Sequence, residues 1–197
     1  MDRQLKRWEV ALLLGLIAAL VAGIWLDREQ SDLADRVIRL HVIANSDRAV
    51  DQELKLAVRD RVLEQARAIY PQGADLERAR KALEENLPAL AAAGESAAGG
   101  YAVTASLEEC WFPTKEYGEL SLPAGEYTAL RVVIGDGVGA NWWCVAFPPI
   151  CLGAAEGEVE AAAYFNPEET ALLTGQGGYV LKFRSMELLG QLKRLFS

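Results

Sequence analysis

The chain of 197 residues is poor in the groups that carry most enzyme chemistry: it holds one histidine and three cysteines. A single imidazole and unclustered thiols give little basis for a zinc site. No HExxH, nucleophile elbow or P-loop occurs. Basic residues are also in deficit, with 20 Lys and Arg against 28 Asp and Glu. Residues 1–26 hold three of the basic and two of the acidic ones, so the rest carries 17 against 26, a net charge of −9. Nucleic-acid binding needs a basic footprint, and docking on anionic headgroups needs one too, so both are excluded as expectations. Internal repeats are lacking, and the composition is neither collagen-like nor disordered. The length suits one domain plus a short appendage, enough to bury a core without metal or disulfide support.

The sequence does hold a long apolar run. Val10 to Leu26 is 17 residues without a charge, about 25 Å as a helix, which is the short end of what a bilayer core requires. Arg3, Lys6 and Arg7 precede it; Asp27, Arg28 and Glu29 follow it; Trp8 and Trp25 sit near its ends. With positive charge kept inside, residues 27–197 are expected outside the cytoplasm. Two readings stay open for residues 1–26: an uncleaved signal anchor, or a cleavable signal peptide with small residues at Ala22 and Gly23 but Leu20 at the −3 position.

Val37–Ala44 alternates, with Ile38, Leu40, Val42 and Ala44 on one face and Arg39 and His41 on the other, which predicts a half-buried strand. Asn45-Ser46-Asp47 breaks it and offers capping oxygens to a helix carrying Leu54, Val58, Val62, Ala66 and Ile69, ended by Pro71-Gln72-Gly73. A second helix is expected over Asp75–Ala93, kinked or divided at Pro88. Gly94–Gly100 reads as a flexible connector. A strand with Tyr101, Val103, Ala105 and Leu107 on one face follows, then a turn-rich stretch from Phe112 to Tyr127. In it, Pro123-Ala124-Gly125 fits a tight turn whose last residue can take positive φ. Leu130, Val132 and Ile134 mark a strand that Gly135–Asn141 turns into a hairpin with Trp142–Phe147. Residues 154–178 read as an acidic surface loop, Tyr179, Leu181 and Phe183 as a last strand, and Ser185 as the cap of a closing helix. The expected fold is a single α+β domain: a mainly antiparallel or mixed sheet with helices on one side, plus the N-terminal apolar helix.

Each candidate for chemistry has a structural counterpart. His41 could pair with Cys144 as the dyad of a thiol hydrolase, but a structural role suits a lone strand histidine better. Gly135, Gly137 and Gly139 have dinucleotide-loop spacing, yet a strand follows where a helix is needed, so a hairpin loop is expected and no cofactor. Asp47 and Asp51, beside Asn45, could share a proton or hold a cation; helix capping accounts for them. Cys144 and Cys151 either form a bridge, worth about 2.5 kcal/mol from loop closure, or remain two buried thiols, with Cys110 unpaired in both cases. Trp142 and Trp143 fall on opposite faces of a strand; either one fills the core and the other is an exposed anchor for a partner, or both pack.

Several of these strings resemble one family. HVIANSD (His41–Asp47), QELKLAVRD (Gln52–Asp60), FPTKEYG (Phe112–Gly118) and LPAGEYTALRVVIGDGVGANWWCVAFPPIC (Leu122–Cys151) are similar, in that order, to stage II sporulation protein R. The resemblance spans residues 36–152. It implies a protein made in the forespore of an endospore-forming bacterium and exported into the space between the two septal membranes. There it would activate the mother cell's membrane-embedded aspartic protease, which processes the precursor of sigma factor E. The chain itself would then not be an enzyme. On turns and aromatics alone, the segments expected to meet the partner are Lys115, Glu116 and Tyr117, and Asn141, Trp142 and Trp143.

Overall fold

The computed structural model describes residues 7–71, 75–117 and 120–147. The elements run α1 (Arg7–Ala34), β1 (Ile38–Ile43), α2 (Ala49–Ile69), α3 (Leu76–Glu85), α4 (Leu87–Glu95), β2 (Val103–Phe112), β3 (Lys115–Tyr117), β4 (Leu120–Leu122), β5 (Gly125–Ile134) and β6 (Asn141–Phe147). Cys151, the 154–178 stretch, the strand expected at Tyr179–Phe183 and the closing helix lie outside the described residues.

The main sheet has the order β2-β5-β1-β6. β1 lies parallel to β5 and antiparallel to β6, while β2 is antiparallel to β5. The sheet is therefore mixed. The hairpin expected between residues 130–134 and 142–147 does not form, because β1 lies between those strands. Six residues separate β5 from β6, more than the two to five of the usual hairpin loop, and they stride across the end of β1.

Helices α2, α3 and α4 cover one face. Val58, Val62, Leu63 and Ala66 from α2, Ala79 and Leu83 from α3 and Leu90 from α4 pack on Ile38, Leu40, Val42, Leu130, Val132 and Ile134. Each such aliphatic side chain taken out of water stabilises the fold by about 1.5–3 kcal/mol before chain entropy is counted. Asp75 caps α3 by accepting the Arg78 N–H at 2.9 Å. The second expected helix is divided, not kinked: Asn86 closes α3, its side chain donating to the Ala82 carbonyl at 2.8 Å, and Pro88 sits in the first turn of α4. A proline is harmless there, since N–H groups of the first turn have no helical partner. Residues 94–100 do not form a flexible connector. α4 continues to Glu95, and Gly94 and Ala98 are buried against the core.

Two further expectations change. β1 is buried along its whole length, Arg39 and His41 included, because its second face is also covered. Gly125 does not close a turn; it opens β5, paired with Phe112. The turn-rich stretch instead contains the small hairpin β3–β4.

α1 is one helix of 28 residues that touches β5. Leu12, Leu13, Leu14, Leu16, Ile17 and Val21 are exposed along it. Among the described residues no helix is long and apolar enough to cross a membrane; the side chains of Leu20 and residues 22–33 lie outside the description.

Candidate interaction site

The strand β1 is followed by Ala44-Asn45-Ser46-Asp47, and this tetrapeptide grips the Gly135–Ala140 loop. Asn45 uses both ends of its amide: Nδ2 donates to Asp51 at 3.0 Å and Oδ1 accepts from the Asp136 N–H at 3.0 Å. The carbonyls of Asn45 and Ala44 accept from Val138 and Gly139 at 3.3 and 2.9 Å. Asp47 accepts from the Ala140 N–H at 2.7 Å. From α2, the buried Lys55 ammonium donates to the Ala140 carbonyl at 3.0 Å and to Gln52 at 2.6 Å. A Cβ on Gly139 would collide with the backbone of Ser46, so only glycine permits this approach. Connecting loops are usually mobile, but this one is fixed by bonds from two elements.

The carboxylates here do not cap a helix. The N-cap of α2 is Arg48, which makes no side-chain cap bond. Asp51 is buried in the first turn of α2 and accepts from the Ser46 hydroxyl and the Asn45 amide. Those bonds hold its carboxyl below the ordinary range, the Ser46 bond first, against the opposing effect of burial. Burial pushes the Lys55 ammonium down, an effect that Asp47 opposes. What reads in the sequence as a capping run is a clamp on a distant loop.

The second face of the sheet is a layer of cations and aromatics. The fully buried Arg39 guanidinium lies 4.1 Å from the Phe112 ring centroid and 4.9 Å from that of Tyr127. His41 stacks on Trp143 with centroids 3.9 Å apart and planes 17° from parallel. Phe112 sets its ring edge-on to Trp143, Tyr127 and His41 at 4.8, 5.9 and 6.1 Å. Opposite Phe112 in the ladder is Gly125, which leaves room for that ring. The Tyr127 hydroxyl donates to the Pro123 carbonyl at 2.7 Å. Beside the layer, Arg131 and Glu108 form a half-exposed ion pair at 3.3 Å. Burial lowers the His41 pKa; Asn141 and Glu108 oppose this and Arg131 adds to it.

The expected partner-binding residues do not form one patch. Lys115 and Glu116 are exposed on β3, at the end of the sheet marked by Phe112 and Gly125. Tyr117 pairs with Leu120 through the β3–β4 ladder; its side chain lies outside the description. Asn141 is exposed at the opposite end, beside the gripped loop. Trp142 faces the helices, with the Arg59 guanidinium 4.5 Å over its ring. Trp143 faces the other way, half-buried against His41. Neither tryptophan is an exposed anchor.

His41 and Cys144 are not brought together. His41 pairs with Trp143 and Leu40 with Cys144, and paired residues share a face, so the imidazole and the sulfur lie on opposite sides of the sheet. Cys144 is disulfide-bonded and Cys110 is a free thiol that burial makes harder to ionise. Cys151 lies outside the described residues. No group of three or more His, Cys, Asp and Glu among the described residues is placed to hold a metal.

Lys55, Phe112 and Tyr127 are organising residues that the pattern of the chain did not single out. Asn45 reads in the sequence only as part of a capping run, and Arg39 only as an outward residue of a half-buried strand; the signal for Arg39 is a guanidinium inside an otherwise apolar strand.

The fold thus defines the class: a single mixed α+β domain on an N-terminal helix, with a loop locked across the end of its central strand. The chain belongs to the stage II sporulation protein R family, whose model matches residues 34–156, more than half of the chain. Over 123 residues it is 38% identical to stage II sporulation protein R of Bacillus subtilis (strain 168), a stretch covering 60% of this chain and 55% of that relative. The match thus spans little more than half the length of the relative. No solved structure matches.

Proposed function

We propose that this chain is an intercellular signal of endospore formation. It is exported from the forespore by residues 1–26 into the space between the two membranes. There its folded domain activates the membrane-embedded aspartic protease of the mother cell that processes the sigma-E precursor. The chain activates and does not itself cut. Family membership carries the reading, since the matched region 34–156 encloses every strand among the described residues. Two observations support it. His41 and Cys144 face apart, which disfavours the thiol-hydrolase alternative. The gripped loop is already fixed before a partner arrives, so docking would cost little ordering entropy. Activation requires tighter binding to the active than to the inactive state of the protease.

The test combines the full chain in lipid vesicles with membranes carrying the protease and the sigma-E precursor. Cleavage that appears only when the folded chain is added supports the reading. Absence of cleavage, with the protease shown active on another trigger, sinks it. A His41→Ala, Cys144→Ser chain that refolds and still triggers cleavage removes the hydrolase alternative.

A further inference from the structure

β2 and β6 are the outer strands of the described sheet, and they meet the hazard of an open edge differently. An outer strand offers N–H and C=O groups to any other strand, and exposed charge is one way of refusing such pairing. β2 carries Glu108 and Glu109, both exposed. β6, Asn141–Phe147, has no charged residue. Its second half is nevertheless out of reach of solvent: Cys144, Val145, Ala146 and Phe147 are all buried, and Val145 at 0% and Ala146 at 1% exposure have even their main chain covered. Cover on the two faces of a sheet does not reach the outer side of its last strand, so a further segment must lie there.

The cysteines identify that segment. The chain holds three. Cys110 is free and Cys144 is disulfide-bonded, which leaves Cys151 as the partner within one chain. The sheet agrees: Cys110 sits on β2, three strand spacings or about 14 Å from β6, beyond the roughly 7 Å that a bridge spans between α-carbons. Fully extended, the chain from Cys144 to Cys151 would reach about 23 Å, so a bridge between them reverses the chain directly after Phe147. Pro148 and Pro149 stand at that reversal. A proline has no N–H, so the returning segment ends the ladder and offers little of a new edge.

We propose that Cys144 and Cys151 form a bridge that folds residues 145–151 back as a guard over the outer side of β6, and that the redox state of this pair closes or opens that edge. The two thiols lose two protons and two electrons as the S–S bond forms; a disulfide-bonded oxidoreductase accepts the electrons and becomes a dithiol. In a reducing compartment the pair stays as thiols, and the segment is free to extend and uncover a strand without charge. The edge is therefore closed only where the chain meets an oxidant. This goes beyond the signalling reading and does not depend on it.

The experiment uses the full chain in detergent micelles, folded in a glutathione redox buffer. Denatured, alkylated and digested with trypsin without reductant, it should yield a peptide Val132–Lys182 that holds both cysteines, lacks two hydrogens and carries no alkyl group, while Cys110 is alkylated. Two alkyl groups on that peptide, or a link from Cys144 to a second copy, overturns the bridge. The guard is read by hydrogen exchange in a Cys110→Ser chain, with reductant added to the folded, oxidised protein. Amides of residues 142–147 should exchange up to about seventyfold faster, the contribution of closing so short a ring, while the β1–β5 and β2–β5 ladders keep their rates. A Cys151→Ser chain should begin at the faster rates and ignore reductant. Unchanged β6 amides on reduction of the wild-type pair, loss of protection in all three ladders together, or a response to reductant in the Cys151→Ser chain overturns the guard.

Discussion

The two faces of β1 are built from alternate residues of one strand, yet they are held by different physics. Ile38, Leu40 and Val42 meet aliphatic side chains of three helices, a contact that tolerates any shape of the right volume. Arg39 and His41 meet Phe112, Tyr127 and Trp143, whose rings must sit at set angles to the cation and to each other. The comparison teaches that a polar residue at the outward position of a strand does not mark a wet face. A guanidinium can be taken into a dry layer when aromatic faces replace part of its hydration, and the layer then behaves as a second, more exacting core.

That claim is most directly broken at Phe112, which touches all four partners. Phe112→Ala should cost about 3–5 kcal/mol in urea unfolding if the layer is a core; a loss under about 1 kcal/mol, the surface range, would make it a decorated surface. Leu40→Ala, on the helical face, should cost about 2–5 kcal/mol. The two losses should be similar, and a Leu40 value several times that of Phe112 would restore the one-core view of the domain.

A smaller effect separates the ends of the sheet. Gly139→Ala pushes the loop off the Ser46 backbone and should cost about 1–3 kcal/mol, the range for overpacking. Hydrogen exchange gives the more specific readout: the Asp136, Val138, Gly139 and Ala140 amides, bonded to Asn45, Ala44 and Asp47, should lose protection, while the β2–β5 ladder keeps its own. Uniform loss across both would mean that the loop and the sheet open as one unit.

Much of this architecture was legible in the chain. The alternation of Leu40 and Val42, the helical spacing of Val58, Val62 and Ala66, and Pro88 as a divider all correspond to structure, because burial on one face imposes a period on the residues themselves. Strand order was not legible. Nothing in Leu130–Ile134 or Trp142–Phe147 says that β1 will insert between them, since any of these apolar strands can pair with any other. The same blindness hid the role of Asn45. Its partners are 91 positions away at Asp136 and only six away at Asp51, and the near one alone looks like a capping motif. Trp142 and Trp143 fell to opposite faces as the strand period requires, but which faces were covered depended on helices and on Phe112 from elsewhere in the chain.

The two regions should also respond to acid in separate windows, which is the smallest effect and the most discriminating one. His41 is stacked on Trp143 and its pKa is lowered from 6.5, burial being the first cause. The unfolded chain then binds this proton more readily than the folded one, so its contribution is fully present above about 6.5 and declines as pH falls through that value toward the folded pKa. Asp51 is lowered from 3.8 by Ser46 and Asn45. Its contribution is present above about 3.9 and is lost only as pH falls below that, through the folded pKa. Arg39 and Arg131 flank His41 on the strand and on β5, and Glu108 faces it from β2 across the ion pair, so protonation would add a third cation to a layer holding one carboxylate. Stability against urea should therefore fall in two steps on acidification. His41→Phe should flatten the upper step and leave the lower one, and Asp51→Asn should do the opposite. An upper step that survives His41→Phe would show that the aromatic layer does not hold the imidazole neutral, and would return that face of β1 to the solvent.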